Sequence, residues 1–140
     1  MAIAYLGLGS NLGNREQNIL QAIKLLEDHS IRVTKRAHII ETEPEGGPPQ
    51  CLFLNTVIEV TTSLDPHELL SLIKTIEQKL GRTKTVRNGP RTIDMDVLLY
   101  DDIALNEPDL IIPHPRMHQR NFVLQPLKEI APQHVEGKVR

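Results

Sequence analysis

Apolar residues recur along this chain with two spacings, one typical of strands and one typical of helices. Where apolar and polar residues alternate, successive side chains point to opposite faces of an extended strand, and one face is buried. A short, continuous apolar run also fits a buried strand. On this basis we predict strands at Ala2–Leu8, about Ile31–Glu41, Phe53–Thr62, Thr92–Tyr100 and, as a short addition, Ile103–Leu105.

Two amphipathic helices lie between these strands. Asn14 can cap the first, and Asp65-Pro66-His67-Glu68 is a strong start signal for the second, which should end at Gly81. We predict a shorter third helix over Arg116–Leu124, with Arg120 and Phe122 near its middle and Pro126 ending it. The apolar stripes of the two long helices are Ile19, Ala22, Ile23 and Leu26, and Leu69, Leu72, Ile73, Ile76 and Leu80.

The order of elements is βαββαβ with a C-terminal extension. This order predicts an α+β fold of the ferredoxin-like type, in which an antiparallel sheet carries its helices on one face. The other face of the sheet should be free for a functional site. The 140 residues are expected to form one domain, numbered 1–140.

The strand Thr92–Tyr100 carries two acids where strands seldom have any. Ile93, Met95, Val97 and Leu99 alternate with polar residues, so Asp94 and Asp96 should share one face, roughly 6.6 Å apart. At an effective dielectric of ~20 their charges would repel by about 2.5 kcal/mol. A hard divalent cation such as magnesium would remove that repulsion. A solvent-exposed strand face is the alternative interpretation.

The loop before this strand is basic and contains no acid. It carries Arg82, Lys84, Arg87 and Arg91. Cations beside a carboxylate pair suit a metal–polyphosphate complex, because the acids hold the metal and the cations hold the phosphate oxygens. The loop therefore favours a site over a merely exposed strand.

Composition narrows the partners and the compartment. A formal net charge of −2 gives no overall attraction to nucleic acid or to acidic membranes. We expect neither a signal peptide nor a transmembrane segment, since Met1–Gly7 lacks a basic region and a full apolar run. Cys51 is the single cysteine, which excludes an internal disulfide and fits a reducing cytoplasm.

Several other positions have both an ordinary and a functional interpretation. The turn from Gly7 to Gly13 has neither P-loop nor dinucleotide-binding spacing, so a tight strand-to-helix turn is favoured. The loop from Glu43 to Gln50 is either a lid or a passive connector. Phe53 and Asn55 on one strand face could stack on and read a flat heterocycle, although a core Phe beside a surface Asn is commoner. Lys74 and Glu77 alone suggest a surface ion pair.

Six segments occur along the chain in this order: Gly9-Ser10-Asn11-Leu12-Gly13, Glu41-Thr42-Glu43-Pro44, Phe53-Leu54-Asn55, Leu80-Gly81-Arg82, Gly89-Pro90-Arg91-Thr92-Ile93-Asp94-Met95-Asp96 and Pro113-His114-Pro115-Arg116-Met117. With them the chain resembles, over essentially its whole length, the 6-hydroxymethyl-7,8-dihydropterin pyrophosphokinases of folate biosynthesis. The resemblance implies ATP-dependent transfer of diphosphate to the hydroxymethyl group of a reduced pterin, with release of AMP.

The resemblance also implies roles for individual residues. Asp94 and Asp96 would bind two magnesium ions, and together with Arg82 and Arg91 they would form the catalytic group. The pterin would be bound by Thr42, Glu43, Phe53, Asn55 and Phe122. The nucleotide would be bound by Lys74, Glu77, Arg82, Lys84, Arg91, His114 and Arg120. The loops after Thr42 and from Arg82 to Pro90 would close over the substrates.

Two departures and two alternatives remain. Asn88 and Pro115 stand where family members can have an aromatic residue, which leaves local packing of the loop and its nucleotide contacts open.

A non-catalytic module that binds a ligand or RNA would need no Asp-x-Asp pair, and the aromatic motif of RNA readers is absent. A two-metal phosphohydrolase would share the acids but would gain nothing from Phe53 and Phe122. We expect a monomer that binds neither nucleic acid nor membrane.

Overall fold

The computed structural model describes residues 1–44, 47–81 and 91–135. Within these ranges the helices are α1 (Arg15–Asp28), α2 (Pro66–Lys79) and α3 (Asn121–Ile130), and short 3₁₀ turns span Met117–Gln119 and Pro132–His134. The strands are β1 (Ala2–Ser10), β2 (Arg32–Arg36), β3 (Ile40–Thr42), β4 (Phe53–Thr62), β5 (Asp94–Tyr100), β6 (Leu105–Glu107) and β7 (Leu110–Ile112).

The main sheet has the predicted ferredoxin-like topology. Its strands lie in the order β2-β4-β1-β5, all neighbours are antiparallel, and β3 adds a second segment beside β4. β6 and β7 form a separate antiparallel hairpin. The long strands β1 and β4 are therefore central, and β5 with its two acids lies next to β1.

The signals for both long helices are confirmed. Asn14 accepts a hydrogen bond from the Gln17 amide at the start of α1, and Asp65 forms a capping box with Glu68 at the start of α2. Gly81 follows α2 with a φ of 86°, a backbone conformation that glycine adopts without strain. The predicted stripe of α1 and most of that of α2 are buried against one face of the sheet, where Leu6, Leu8 and Ile58 complete the core.

The second strand was predicted as one segment but is divided into β2 and β3. Residues 37–39 leave the ladder between them, although the Ala37 amide still donates to the Val57 carbonyl at 3.0 Å. The Thr56 hydroxyl donates to the Ala37 carbonyl at 2.9 Å. A side chain thus satisfies a carbonyl that a continuous ladder would have paired with backbone.

The alternation predicted for β5 holds only as far as Val97. Pairing with β1 changes from Leu6–Val97 to Tyr5–Leu99, so Leu98 is the extra residue of a β-bulge. As a result Leu99 joins the core on the second face of the sheet rather than the core beneath the long helices. The bulge lies beyond the two acids and leaves their placement unchanged.

The prediction that the second face is free was wrong for half of that face. Val123, Leu124 and Leu127 of α3 pack there against Tyr5 and Val57. The helix begins at Asn121 and continues to Ile130, so its predicted bounds and the role of Pro126 as a terminator were also wrong. Burial of this apolar stripe outweighs the one backbone hydrogen bond that proline cannot make.

Candidate active site

The uncovered half of the second face is centred on Gly9 of β1. Gly9 pairs with Asn55 of β4 on one side and with Asp94 of β5 on the other. Because side chains alternate along a strand, Asp96 lies on the same face as Asp94, while Met95 and Val97 enter the core under the helices. Three strands that are distant in sequence therefore bring an amide and two half-buried carboxylates to one place.

α3 closes one side of this region with an aromatic ring. A cleft is lined by Gly9, Asn55, Asp94, Asp96 and Phe122, together with neighbouring strand residues. Phe122 is half-buried at the first turn of α3 rather than in its middle. The structure thus brings together both predicted metal ligands and two of the residues assigned to the pterin.

The remaining residues assigned to the pterin lie at the junction of β3 and β4. The side-chain amide of Asn55 donates a hydrogen bond to the Thr42 hydroxyl at 2.5 Å, and Thr42 pairs with Phe53 in the β-ladder. Asn55 is only 8% exposed, and Phe53 is half-buried beside it. Glu43 is exposed just beyond the strand. The ordinary interpretation, a core Phe53 beside a surface Asn55, is therefore wrong for Asn55, which is buried.

His114, in the segment before α3, lies beside the acids. The His114 amide donates to the Leu98 carbonyl at 2.9 Å, which fixes this segment along β5. The His114 imidazole nitrogen lies 3.9 Å from an Asp96 carboxylate oxygen. Burial lowers the pKa of His114, nearby Arg120 lowers it further, and Asp94 opposes the shift. The Arg120 guanidinium also lies 5.3 Å from the centre of the Phe122 ring.

Glu77 is buried, whereas its sequence context alone suggested a place on the surface. It is 6% exposed, and its carboxylate accepts a hydrogen bond from the Met95 amide at 2.9 Å. This bond attaches α2 to the strand segment between the two acids. Lys74 lies on the exposed side of α2.

The site prediction did not include Asn11, which the structure places between Arg91 and the pair Gln50 and Cys51. The side-chain oxygen of Asn11 accepts a hydrogen bond from the backbone amide of Arg91 at 2.8 Å. The backbone amide of Asn11 donates in return to the backbone carbonyl of Arg91 at 3.0 Å. Its side-chain nitrogen donates to the Gln50 side chain at 2.7 Å and to the Cys51 carbonyl at 3.1 Å. Asn11 is 2% exposed, so these bonds are shielded. Two signals could have found it: it is a polar residue directly after a buried strand, and it lies in the segment Gly9–Gly13 that carries part of the family resemblance.

Two predicted site residues, Arg82 and Lys84, lie outside the described residues, as do Arg87 and Asn88. Among the residues that the structure describes, no group of three or more His, Cys, Asp or Glu side chains could hold a metal ion. Two carboxylates do fit magnesium, which binds through one or two of them and completes its shell with water and substrate phosphates. Paired acids facing cations are typical of enzymes that handle a metal–polyphosphate complex.

Comparison with known proteins identifies the family. Residues 5–132 match the model of the 7,8-dihydro-6-hydroxymethylpterin-pyrophosphokinase (HPPK) family. The chain is 52% identical over 132 residues to the 2-amino-4-hydroxy-6-hydroxymethyldihydropteridine pyrophosphokinase of Bacillus subtilis, covering 94% of this chain and 79% of that protein. It therefore belongs to this family and is a pyrophosphokinase of folate biosynthesis.

Longer relatives share only part of their length with this chain. It is 45% identical to the Dictyostelium discoideum folic acid synthesis protein FOL1, covering 93% of this chain but 20% of that protein. A crystal structure of wild-type Plasmodium falciparum HPPK-DHPS matches with a TM-score of 0.69 and 18% identity, covering 95% of this chain and 40% of that one. At that identity the structural match confirms the fold.

Proposed function

We propose that the cleft around Gly9 transfers the β,γ-diphosphate of ATP to the hydroxymethyl oxygen of 6-hydroxymethyl-7,8-dihydropterin. The oxygen forms a bond to the β-phosphorus and loses its proton, while the bond from that phosphorus to the α,β-bridging oxygen breaks and AMP leaves. The observation that carries this assignment is the convergence of Asp94 and Asp96 with Asn55 and Phe122 in one cleft.

Asp94 and Asp96 would hold magnesium, and we propose two ions. Support comes from their shared face on β5 and from the oxygen-donor chemistry of the pair. Bound magnesium supplies charge neutralisation and Lewis-acid polarisation of phosphate oxygens. The carboxylates themselves fix where that charge lies, because β5 is paired with β1 on one side and bonded to Glu77 of α2 on the other.

Cationic side chains would compensate the charge of the transferring group. Arg91 lies three residues before Asp94, the first residue of β5, and Arg120 precedes α3. His114, whose pKa is lowered by burial, would contribute a hydrogen bond from its neutral imidazole rather than a positive charge. In a loose transition state the charge spreads over the phosphoryl oxygens, so positioned cations contribute directly to the rate. Arg82 and Lys84 are proposed for the same role from the family resemblance alone.

Pterin binding would use the opposite wall of the cleft. Phe53 and Phe122 would stack on the rings, and Asn55, Thr42 and the backbone near Glu43 would read the polar edge. The bond from Asn55 to Thr42 supports this role, since it fixes the carboxamide before a ligand arrives. Removing water from such a site would also suppress transfer to water instead of to the pterin.

Lys74 and Glu77 of α2 remain proposed nucleotide contacts. The hydrogen bond from Met95 holds the Glu77 carboxylate against β5, so any contact with the nucleotide would be made from a fixed position. Lys74 is exposed and would reach the nucleotide from the outer side of the helix.

An assay of AMP release tests the proposed reaction against the alternatives. ATP with the reduced pterin alcohol and magnesium should yield AMP and the pterin diphosphate, and ATP alone should be nearly inert. A two-metal phosphohydrolase would consume ATP without the pterin, and a binding module would form no product in either mixture. Either of these results would contradict the proposal.

We further propose that residues 1–140 act as one monomeric domain in the cytoplasm. The exposed, free Cys51 is compatible with a reducing compartment. No helix among the described residues has the length and apolarity needed to cross a bilayer. Sedimentation equilibrium measures the assembly state directly, and a dimer mass would contradict the monomer.

A further inference from the structure

We propose that Gly9 is a positioning residue for pterin recognition, because its missing side chain leaves the space that the Asn55 carboxamide occupies. The inference rests on the proposed role of Asn55 in reading the pterin edge. It concerns a strand glycine that contributes no polar side-chain group to the cleft. Its effect would be transmitted entirely through the neighbouring amide.

The space above Gly9 is already filled. A methyl group built on Gly9 would lie 2.5 Å from the Asn55 side-chain oxygen and 3.5 Å from a ring carbon of Phe53. Real Cβ atoms essentially never lie within 3.0 Å of such an atom, so the Asn55 oxygen would have to move. Rotating the carboxamide to exchange its oxygen and nitrogen would not help, because the nitrogen would then be displaced. The backbone of Gly9 does not adopt the left-handed conformation, and the restriction is therefore one of space rather than of backbone strain.

Asn55 has little freedom to move away. It lies on a central strand, is 8% exposed, and donates to the Thr42 hydroxyl at 2.5 Å. Relief of the contact requires either rotation of the carboxamide, which breaks that bond, or separation of β1 from β4. Both movements change the position of Asn55 in the cleft and its relation to Thr42 and Phe53.

Gly7 provides a matched control on the same face of the same strand. The three atoms nearest to a methyl group built there all belong to the Leu98 side chain, at 3.7–3.8 Å, which is ordinary van der Waals contact. Gly7→Ala and Gly9→Ala thus make the same chemical change in the same strand. They differ in whether the new methyl group collides with Asn55.

The experiment is a double-mutant cycle on Gly9→Ala and Asn55→Ala, with Gly7→Ala as the control. We expect Gly9→Ala to raise the KM for the pterin about tenfold, as for loss of one oriented hydrogen bond, and to leave the KM for magnesium-ATP nearly unchanged. Gly7→Ala should stay within about twofold of wild type in both constants. In the Asn55→Ala background Gly9→Ala should have no further effect, because the atom it displaces is absent.

Additive effects in the double variant, or a wild-type pterin KM for Gly9→Ala, would overturn the inference. An unchanged KM for Asn55→Ala alone would overturn it too, by removing the role on which it rests. Absence of any pterin-dependent AMP release by the wild-type enzyme would instead refute the proposed function. If Gly9→Ala is too unstable to assay, thermal unfolding of the double variant decides: recovery of Tm supports the inference, and no recovery contradicts it.

Discussion

Replacing Asn11 with alanine would remove three side-chain hydrogen bonds that connect the end of β1 to the residues just before β4 and just before β5. One bond holds the Arg91 amide at the entrance to β5, and the other two hold Gln50 and Cys51 just before β4. Asn11 is 2% exposed, so water cannot readily take the place of the lost carboxamide. The backbone bond from Asn11 to the Arg91 carbonyl would remain.

The expected loss of stability follows from these bonds. At about 1 kcal/mol net for each, the free energy of unfolding should fall by about 3 kcal/mol, and somewhat less if water reaches the exposed Cys51 carbonyl. For 140 residues, an unfolding entropy of about 2.1 cal/mol/K per residue converts that loss into a decrease in Tm of roughly 10 °C. Arg91 would also lose an anchor, and kcat should fall by at least about tenfold, since small displacements of a charged group are costly.

Urea unfolding and steady-state kinetics measure the two effects separately. Asn18→Ala is the matched control, because Asn18 bonds the Ser10 hydroxyl and the Leu12 carbonyl within the same turn. That variant should lose about 1 to 2 kcal/mol of stability and keep its kcat. Wild-type kcat in the Asn11→Ala variant, or equal losses of kcat in both variants, would contradict a role of Asn11 in positioning Arg91.

Three further predictions concern the acids, the aromatic wall and a buried network. Asp96→Ala should remove most turnover at saturating magnesium while leaving the urea midpoint close to wild type; near-normal kcat would contradict the metal role. Phe122→Ala should weaken pterin binding more than ATP binding in calorimetric titrations, and equal losses would count against stacking. Burial and the hydrogen bond to Glu59 raise the pKa of Tyr5 above its ordinary value of 10.0. Because the pKa of Tyr5 is higher in the folded state, its protonation contributes to the free energy of unfolding. That contribution is complete below about pH 10 and is lost as the pH rises above it. Tyr5→Phe should therefore flatten the dependence of unfolding free energy on pH in urea titrations from pH 8 to 11, and an unchanged slope would refute the assignment.

The sequence alone determined the features that depend on neighbouring residues. Caps at Asn14 and Asp65 and the C-terminal glycine Gly81 defined the helices, because capping is satisfied within a few residues of the chain. The placement of Asp94 and Asp96 on one strand face followed from the alternation of side chains. The family also followed from the sequence, and comparison with known proteins confirmed it.

Tertiary structure decided how distant segments meet. The burial of Glu77 depends on how α2 lies along β5, and the bonds of Asn11 depend on Gln50 and Arg91, distant in sequence, meeting at the end of β1. The role proposed for Gly9 depends on the strand register that places Asn55 beside it. Register and packing arise between segments that local spacing does not relate, so the periodicity of each segment could predict its faces but not its neighbours.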